Sequence, residues 1–101
     1  MSGGNDIIHQ AVRLRIMASL NALPQGDAIE FTRLKTLTSA TDGNLGSHLD
    51  ALERAGYVTI EKRFAGKKPQ TRVKATPAGR RAFTEHVAYL REILDQSGPI
   101  G

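Results

Sequence analysis

Apolar positions recur along this chain in two rhythms, and the change between them divides it. Between residues 7 and 23 the spacing is helical. Val12, Ile16, Leu20 and Leu23 form one stripe, and Ile7, Ala11, Leu14 and Ala18 form a second on another side. Two stripes mean a helix covered on two sides. Pro24-Gln25-Gly26-Asp27 stops it. Residues 28–31 are too few for a helix and predict one brief strand. Thr32 then caps a short helix to residue 38, with Leu34 and Leu37 inward. Ser39-Ala40-Thr41 turns the chain into a third helix, whose apolar stripe is single: Leu45, Leu49 and Leu52. Thr41 or Asp42 supplies its N-cap oxygen, and Gly56 stands where a left-handed residue closes a helix.

After Gly56 the period falls to two. Val58 and Ile60 alternate with Thr59 and Glu61, the mark of a half-buried strand. Lys62 shares the side of Ile60, so the strand leaves the body of the protein there, and Phe64 either folds back or faces a partner. Residues 65–69 read as a loop, and residues 70–75 as the returning strand, with Val73 and Ala75 inward and Arg72 and Lys74 outward. Thr76-Pro77 starts a fourth helix that runs to residue 96. It too has two stripes: Phe83, Val87, Leu90 and Leu94 on one side, Ala82, Tyr89 and Ile93 with His86 on the other. The expected architecture is mainly α with a small β-hairpin (α+β), in the order α-β-α-α-β-β-α. Residues 7–96 form the domain, residues 1–6 a flexible lead and residues 97–101 a tail.

Composition narrows the class. The chain has 101 residues, enough for one domain. It lacks cysteine, which excludes disulfides and thiolate chemistry and fits a cytoplasmic setting. No apolar run is long enough to span a bilayer, and the first residues lack the basic-then-apolar order of a signal peptide. Charge changes the picture more. Eight of the fourteen Lys and Arg residues fall between positions 62 and 81, with no acid among them; all ten acids lie elsewhere. One basic limb on a neutral or acidic body predicts an anionic partner met by that limb.

The third helix is the other half of that expectation. Its outer face carries Gly43, Asn44, Ser47, His48, Ala51 and Arg54, short side chains rich in hydrogen-bonding groups. Such a face suits close approach to a DNA groove better than mere solvation. Two helices joined by a short turn, the second with a polar outer face, make a helix-turn-helix pattern.

The segments Val12-Arg13-Leu14-Arg15-Ile16-Met17, Phe31-Thr32-Arg33-Leu34, Thr41-Asp42-Gly43-Asn44-Leu45, Ser47-His48-Leu49 and Leu52-Glu53-Arg54-Ala55-Gly56-Tyr57-Val58 resemble the small MarR-like or ArsR-like bacterial regulators. Lys67-Lys68-Pro69, Thr71-Arg72 and Thr76-Pro77-Ala78-Gly79-Arg80 resemble their wing and last helix. The resemblance covers residues 7–94 and implies a winged helix-turn-helix fold and a homodimeric transcriptional regulator of double-stranded DNA, reading a palindrome-like site. Thr41, Asp42, Gly43, Asn44, Ser47, His48, Ala51 and Arg54 would then face the major groove, and Arg63, Lys67, Lys68 and Arg72 the backbone or minor groove. Two positions depart from the pattern. Gly46 stands where a polar side chain is common, and Asp50 where a basic one is. The target then differs from that of relatives, or Asp50 reads a cytosine amino group.

The surplus apolar positions on the first and fourth helices, Ile7, Leu14, Tyr89 and Ile93, with Leu90 and Leu94 shared between core and interface, predict the dimer contact. Any small-molecule effector would have to sit in that interface. Catalytic, cofactor and metal sites are not expected. The phosphate-loop, Gly-x-Ser-x-Gly and His-Glu-x-x-His patterns are missing, and His9, His48 and His86 are far apart. Glu85 and His86 would supply only two ligands, beside Tyr89 and Arg91, which suit packing and solvation better. The rival reading is a winged helix used for protein contacts alone, which would not need eight unopposed cations.

Overall fold

Leu45, Leu49 and Leu52 are all but fully buried, in one core with Ile16, Met17 and Leu20. The computed structural model describes residues 4–97. Its elements are α1 (Ala11–Asn21), β1 (Ile29–Glu30), α2 (Phe31–Thr38), α3 (Asp42–Arg54), β2 (Val58–Ala65), β3 (Lys68–Ala75) and α4 (Pro77–Ser97), in the expected order. The core is closed by Ile8, Ile16, Met17, Leu20, Leu34, Val58, Val73, Ala75 and Ala82. The three strands form one antiparallel sheet in the order β1-β3-β2, with Ile29 opposite Val73 and Val73 opposite Ile60. The two-residue β1 thus ties the stretch before α2 to the returning strand of the hairpin.

Local chemistry moved several expected boundaries. α1 begins at Ala11 rather than Ile7, because Asn5 builds a turn of its own. Its Oδ1 accepts from the amides of Ile7 and Ile8 at 2.8 and 3.0 Å, and its carbonyl accepts from the His9 amide. The same residue joins this stretch to the body of the domain. The Asn5 amide donates to His86 Nδ1 at 3.0 Å, and its Nδ2 donates to the Tyr57 hydroxyl at 3.0 Å. Residues 1–3 and 98–101 lie outside the described residues.

The cap of α2 lies two residues earlier than expected, at Glu30 with no side-chain cap, so Thr32 lies inside the helix. Leu37, expected inward, is 44% exposed; Thr38 is buried instead, its hydroxyl donating to the Leu34 carbonyl at 2.7 Å. Thr41 caps α3, accepting from the Asn44 amide, and Gly56 closes it at φ 80°. The hairpin pairs out to Ala65 and Lys68, leaving a two-residue turn at Gly66-Lys67 where a five-residue loop was expected. Pro69 is therefore inside β3, opposite Phe64. In the alternation of antiparallel pairs this is a non-hydrogen-bonded position, where a missing N–H costs little.

α4 begins as expected, with Thr76 Oγ1 accepting from the Gly79 amide at 2.9 Å while donating to the Gly56 carbonyl at 2.6 Å. One hydroxyl thus caps α4 and ties it to the end of α3. The burial of its two stripes falls unevenly. Gly79, Ala82 and His86 are buried, while Phe83, Val87 and Leu90 are half-buried and Leu94 is 70% exposed.

Candidate nucleic-acid interface

The chain reverses between α2 and α3 through Ser39, in the left-handed region at φ 56°, with the Ala40 amide donating to the Lys35 carbonyl. Lys35 in the last turn of α2 pairs with Asp42 in the first turn of α3 at 2.6 Å. Each charge complements its own helix dipole, and Lys35 offsets the charge of the Asp42 carboxylate. Both are exposed, so their contribution to stability is small.

With its leucines in the core, α3 turns Gly43, Ser47 and Arg54 outward, all exposed, with Asn44 exposed and Ala51 half-buried beside them. His48 is placed differently from the other expected contacts. It lies half-buried on the flank toward α1, where Arg13 Nε donates to its Nδ1 at 2.9 Å. Asp50, on the other flank, is exposed.

Register sorts the hairpin into two faces. Val58, Ile60, Lys62 and Phe64 lie opposite Ala75, Val73, Thr71 and Pro69; Thr59, Glu61, Arg63 and Ala65 lie opposite Lys74, Arg72, Gln70 and Lys68. The first face meets α3. A cleft of about 270 Å³ is lined by Gly46, Leu49 and Asp50 from α3, by Ile60, Lys62 and Thr71 from the hairpin, and by Phe31. Lys62 lines this cleft, on the side where its alternation with Ile60 puts it. Phe64 does not fold back: it is 71% exposed.

The eight clustered cations separate in space. Lys62, Arg63, Lys67 and Lys68 occupy the exposed outer hairpin with no salt bridge among the described residues, Lys62 sharing the cleft with Asp50. Arg72 is half-buried with two acids as its register partners, Glu61 on β2 and Glu30 on β1. Lys74 sits 3.9 Å from Glu61. Arg80 serves the fold, its Nη2 donating to the carbonyls of Leu23 at 2.9 Å and Leu20 at 3.4 Å at the end of α1. Arg81 is exposed on α4. The limb that can meet an anion without an internal rival is therefore the outer half of the hairpin, and Arg72 stands apart from Arg63, Lys67 and Lys68.

The expected dimer residues also divide. Ile7 and Leu14 pack against the core. Tyr89 stacks on His86 with ring centroids 6.2 Å apart and lies against Gly4. Leu90 is half-buried, and Ile93 and Leu94 are exposed. Among the described residues no cluster of three or more His, Asp or Glu side chains is placed to hold a metal, and no helix is long and apolar enough to cross a membrane.

Two histidines carry a pH dependence. Burial, and secondarily Arg13, lowers the pKa of His48; burial, and secondarily His9, lowers that of His86. Folded values below unfolded ones mean that the unfolded chain takes up protons first. Their contribution to stability is full above about pH 6.5 and is lost as pH falls toward the folded values, by at most ~1.4 kcal/mol per pH unit for each group. Urea midpoints should fall between about pH 7.5 and 5.5 at constant m-value, and His86→Gln should flatten the decline. Midpoints constant over that interval would show that neither ring is held neutral.

A short helix pair whose second member exposes small polar side chains, beside a basic antiparallel hairpin and sharing a cleft with it, defines a winged helix-turn-helix protein. The chain belongs to the winged helix DNA-binding domain family, whose model matches residues 12–94. It is 38% identical over 91 residues to an uncharacterized protein of Methanocaldococcus jannaschii, covering 90% of this chain and 92% of that one. Its structure is similar to that of a transcriptional regulator homologue from Pyrococcus horikoshii OT3 (TM-score 0.82, 30% identity, 92% and 89% of the two chains). It is also similar to a MarR family transcriptional regulator from Silicibacter pomeroyi (TM-score 0.67, 25% identity), where it covers 91% of this chain and 60% of that one. The Methanocaldococcus relative is archaeal, so the similarity does not single out the bacterial setting that the sequence resemblance implies. Fold and family point to a DNA-binding protein.

Proposed function

We propose that this chain is a cytoplasmic, MarR-like transcriptional regulator that binds a pseudo-palindromic duplex site as a homodimer. α3 lies in the major groove, with Asn44, Ser47 and the close approach allowed by Gly43 supplying base contacts. The outer hairpin lies on the adjacent backbone or in the minor groove, through Lys62, Arg63, Lys67 and Lys68. The observation that carries this reading is the shared cleft: the exposed flank of α3 and the base of the basic hairpin are two walls of one concave surface. Its carboxylate, Asp50, can accept from a cytosine amino group and repels phosphate, which favours groove over backbone at that point.

Selection of bound duplexes from a random library, followed by salt titration on the winner, tests it. Lys67→Gln with Lys68→Gln should weaken binding to all sequences alike and flatten the salt slope by about 1 for each phosphate no longer neutralised. Asn44→Ala should cost ~1–3 kcal/mol on the selected site and much less on random DNA. A library that yields no enriched sequence, with salt slopes indifferent to the lysines, would replace this reading by that of a protein-contact module.

A further inference from the structure

We infer that Arg13, on α1 and outside the DNA-facing surface, is a positioning residue that fixes the His48 ring so that it offers DNA a single neutral N–H donor at Nε2. The inference rests on α3 facing DNA as proposed above. Arg13 Nε donates to His48 Nδ1 at 2.9 Å, and its Nη1 donates to the Ile7 carbonyl at 3.2 Å, so the guanidinium is braced on both sides. A guanidinium only donates and stays protonated. Nδ1 must therefore keep its lone pair, and the one ring proton sits on Nε2.

Among the described residues Nε2 has no hydrogen-bond partner, and it is not a buried unpartnered atom either; the atom in that condition is Arg80 Nε. It is open to solvent on the flank of α3. The side chains at three- and four-residue spacing on α3 are Asn44, Leu45, Ala51 and Leu52, none of them charged. The charged group acting on the ring from a packed element is Arg13, and with burial it disfavours a second proton.

The consequence is chemical selectivity. A lone Nε2–H can donate to guanine N7 or O6, adenine N7, thymine O4 or a phosphate oxygen, and it cannot accept from the amino groups of cytosine or adenine. An unbraced imidazole exchanges between tautomers and charges near its ordinary pKa. It would then present either a donor or an acceptor, and in mild acid a cation drawn to any phosphate. Arg13 removes that ambiguity without touching DNA.

Ring ¹⁵N chemical shifts of His48 in the free protein test the geometry. Wild type should show the Nε2–H tautomer between about pH 6 and 8. Arg13→Ala should show mixed tautomers and a higher titration point; Arg13→Gln, whose amide can still donate to Nδ1, should restore the tautomer. On DNA, Arg13→Ala should cut the preference for the selected site over random duplex about ten-fold at neutral pH, an order typical of removing one base-specific hydrogen bond. It should also add a strengthening of random-DNA binding in mild acid that wild type lacks. Arg13→Ala placed on His48→Ala should add nothing.

A wild-type Nδ1–H tautomer would overturn the inference. So would an Arg13→Ala variant that loses affinity for both DNAs equally with a salt slope lower by about 1, since Arg13 would then be a phosphate contact. The ring measurement needs no DNA, so its failure leaves α3's role standing. A fixed tautomer with no selectable site would instead overturn the DNA reading, and with it the purpose assigned to the pair.

Discussion

Gly79→Ala should lower the stability of this domain by at least ~2 kcal/mol, although alanine is the better helix former by about 1 kcal/mol. Gly79 lies in the first turn of α4, where the helix crosses the chain leaving α3. A Cβ there would come within 3.0 Å of the Tyr57 carbonyl oxygen, carbonyl carbon and Cα. These are backbone atoms and cannot swing aside as a side-chain tip would. The Tyr57 oxygen is also the acceptor for the Thr76 amide at 3.0 Å, so a shift that relieves the clash breaks a hydrogen bond at the junction that caps α4. Urea denaturation at a common m-value measures the loss. Gly43→Ala, in an exposed helical position with nothing within 4 Å of the added atom, is the control and should be neutral or stabilising. Equal stability of Gly79→Ala and wild type would mean that α4 does not approach the α3 exit this closely.

Leu90→Glu combined with Leu94→Glu should convert the proposed dimer to a monomer and reduce affinity for its proposed operator by a factor on the order of 10²–10⁴, the range expected when two linked half-sites become independent. The reason lies in the unequal burial of α4. Its Gly79-Ala82-His86 side is seated on the domain's own core. The Phe83-Val87-Leu90-Leu94 side is only partly covered, and every residue from 91 to 96 is exposed. An apolar ridge of this kind is a liability on a monomer and is removed by pairing across a two-fold axis. The proposed contact would centre on that ridge, with Ile93 at its border, while Ile7 and Leu14 pack against the core and Tyr89 stacks on His86. Sedimentation at about 50 μM should give one dimeric species for wild type and a monomer of unchanged helical content for the variant. A wild-type protein that is monomeric at that concentration, alone and on DNA, would end the dimer proposal.

Local signals in the chain were enough for the elements and their order. The single leucine stripe of α3, Thr41 and Thr76 at the caps, the left-handed Gly56 and the period change after it are each decided by neighbours within a few residues. The outward face of α3 followed from the same spacing, since burying Leu45, Leu49 and Leu52 leaves little freedom for the rest. The misplacements have equally local causes. Asn5 competes for the amides of Ile7 and Ile8, and a two-residue turn at Gly66-Lys67 absorbs what read as loop.

What the sequence determined alone is therefore the list of elements, the groove-facing candidates and the presence of a basic limb. Tertiary structure decided what each charge and each apolar stripe is for. Arg72 and Arg80 are indistinguishable from Lys67 and Lys68 in a charge count, yet one lies between Glu30 and Glu61 and the other caps α1. His48 belongs to the outer face by chemistry, but Arg13, 35 residues earlier, occupies one of its two nitrogens. Which stripe of α4 is core depends on where Tyr57, Asn5 and α1 arrive. These are contacts between residues tens of positions apart, and spacing within one helix carries no information about what the rest of the chain brings against it.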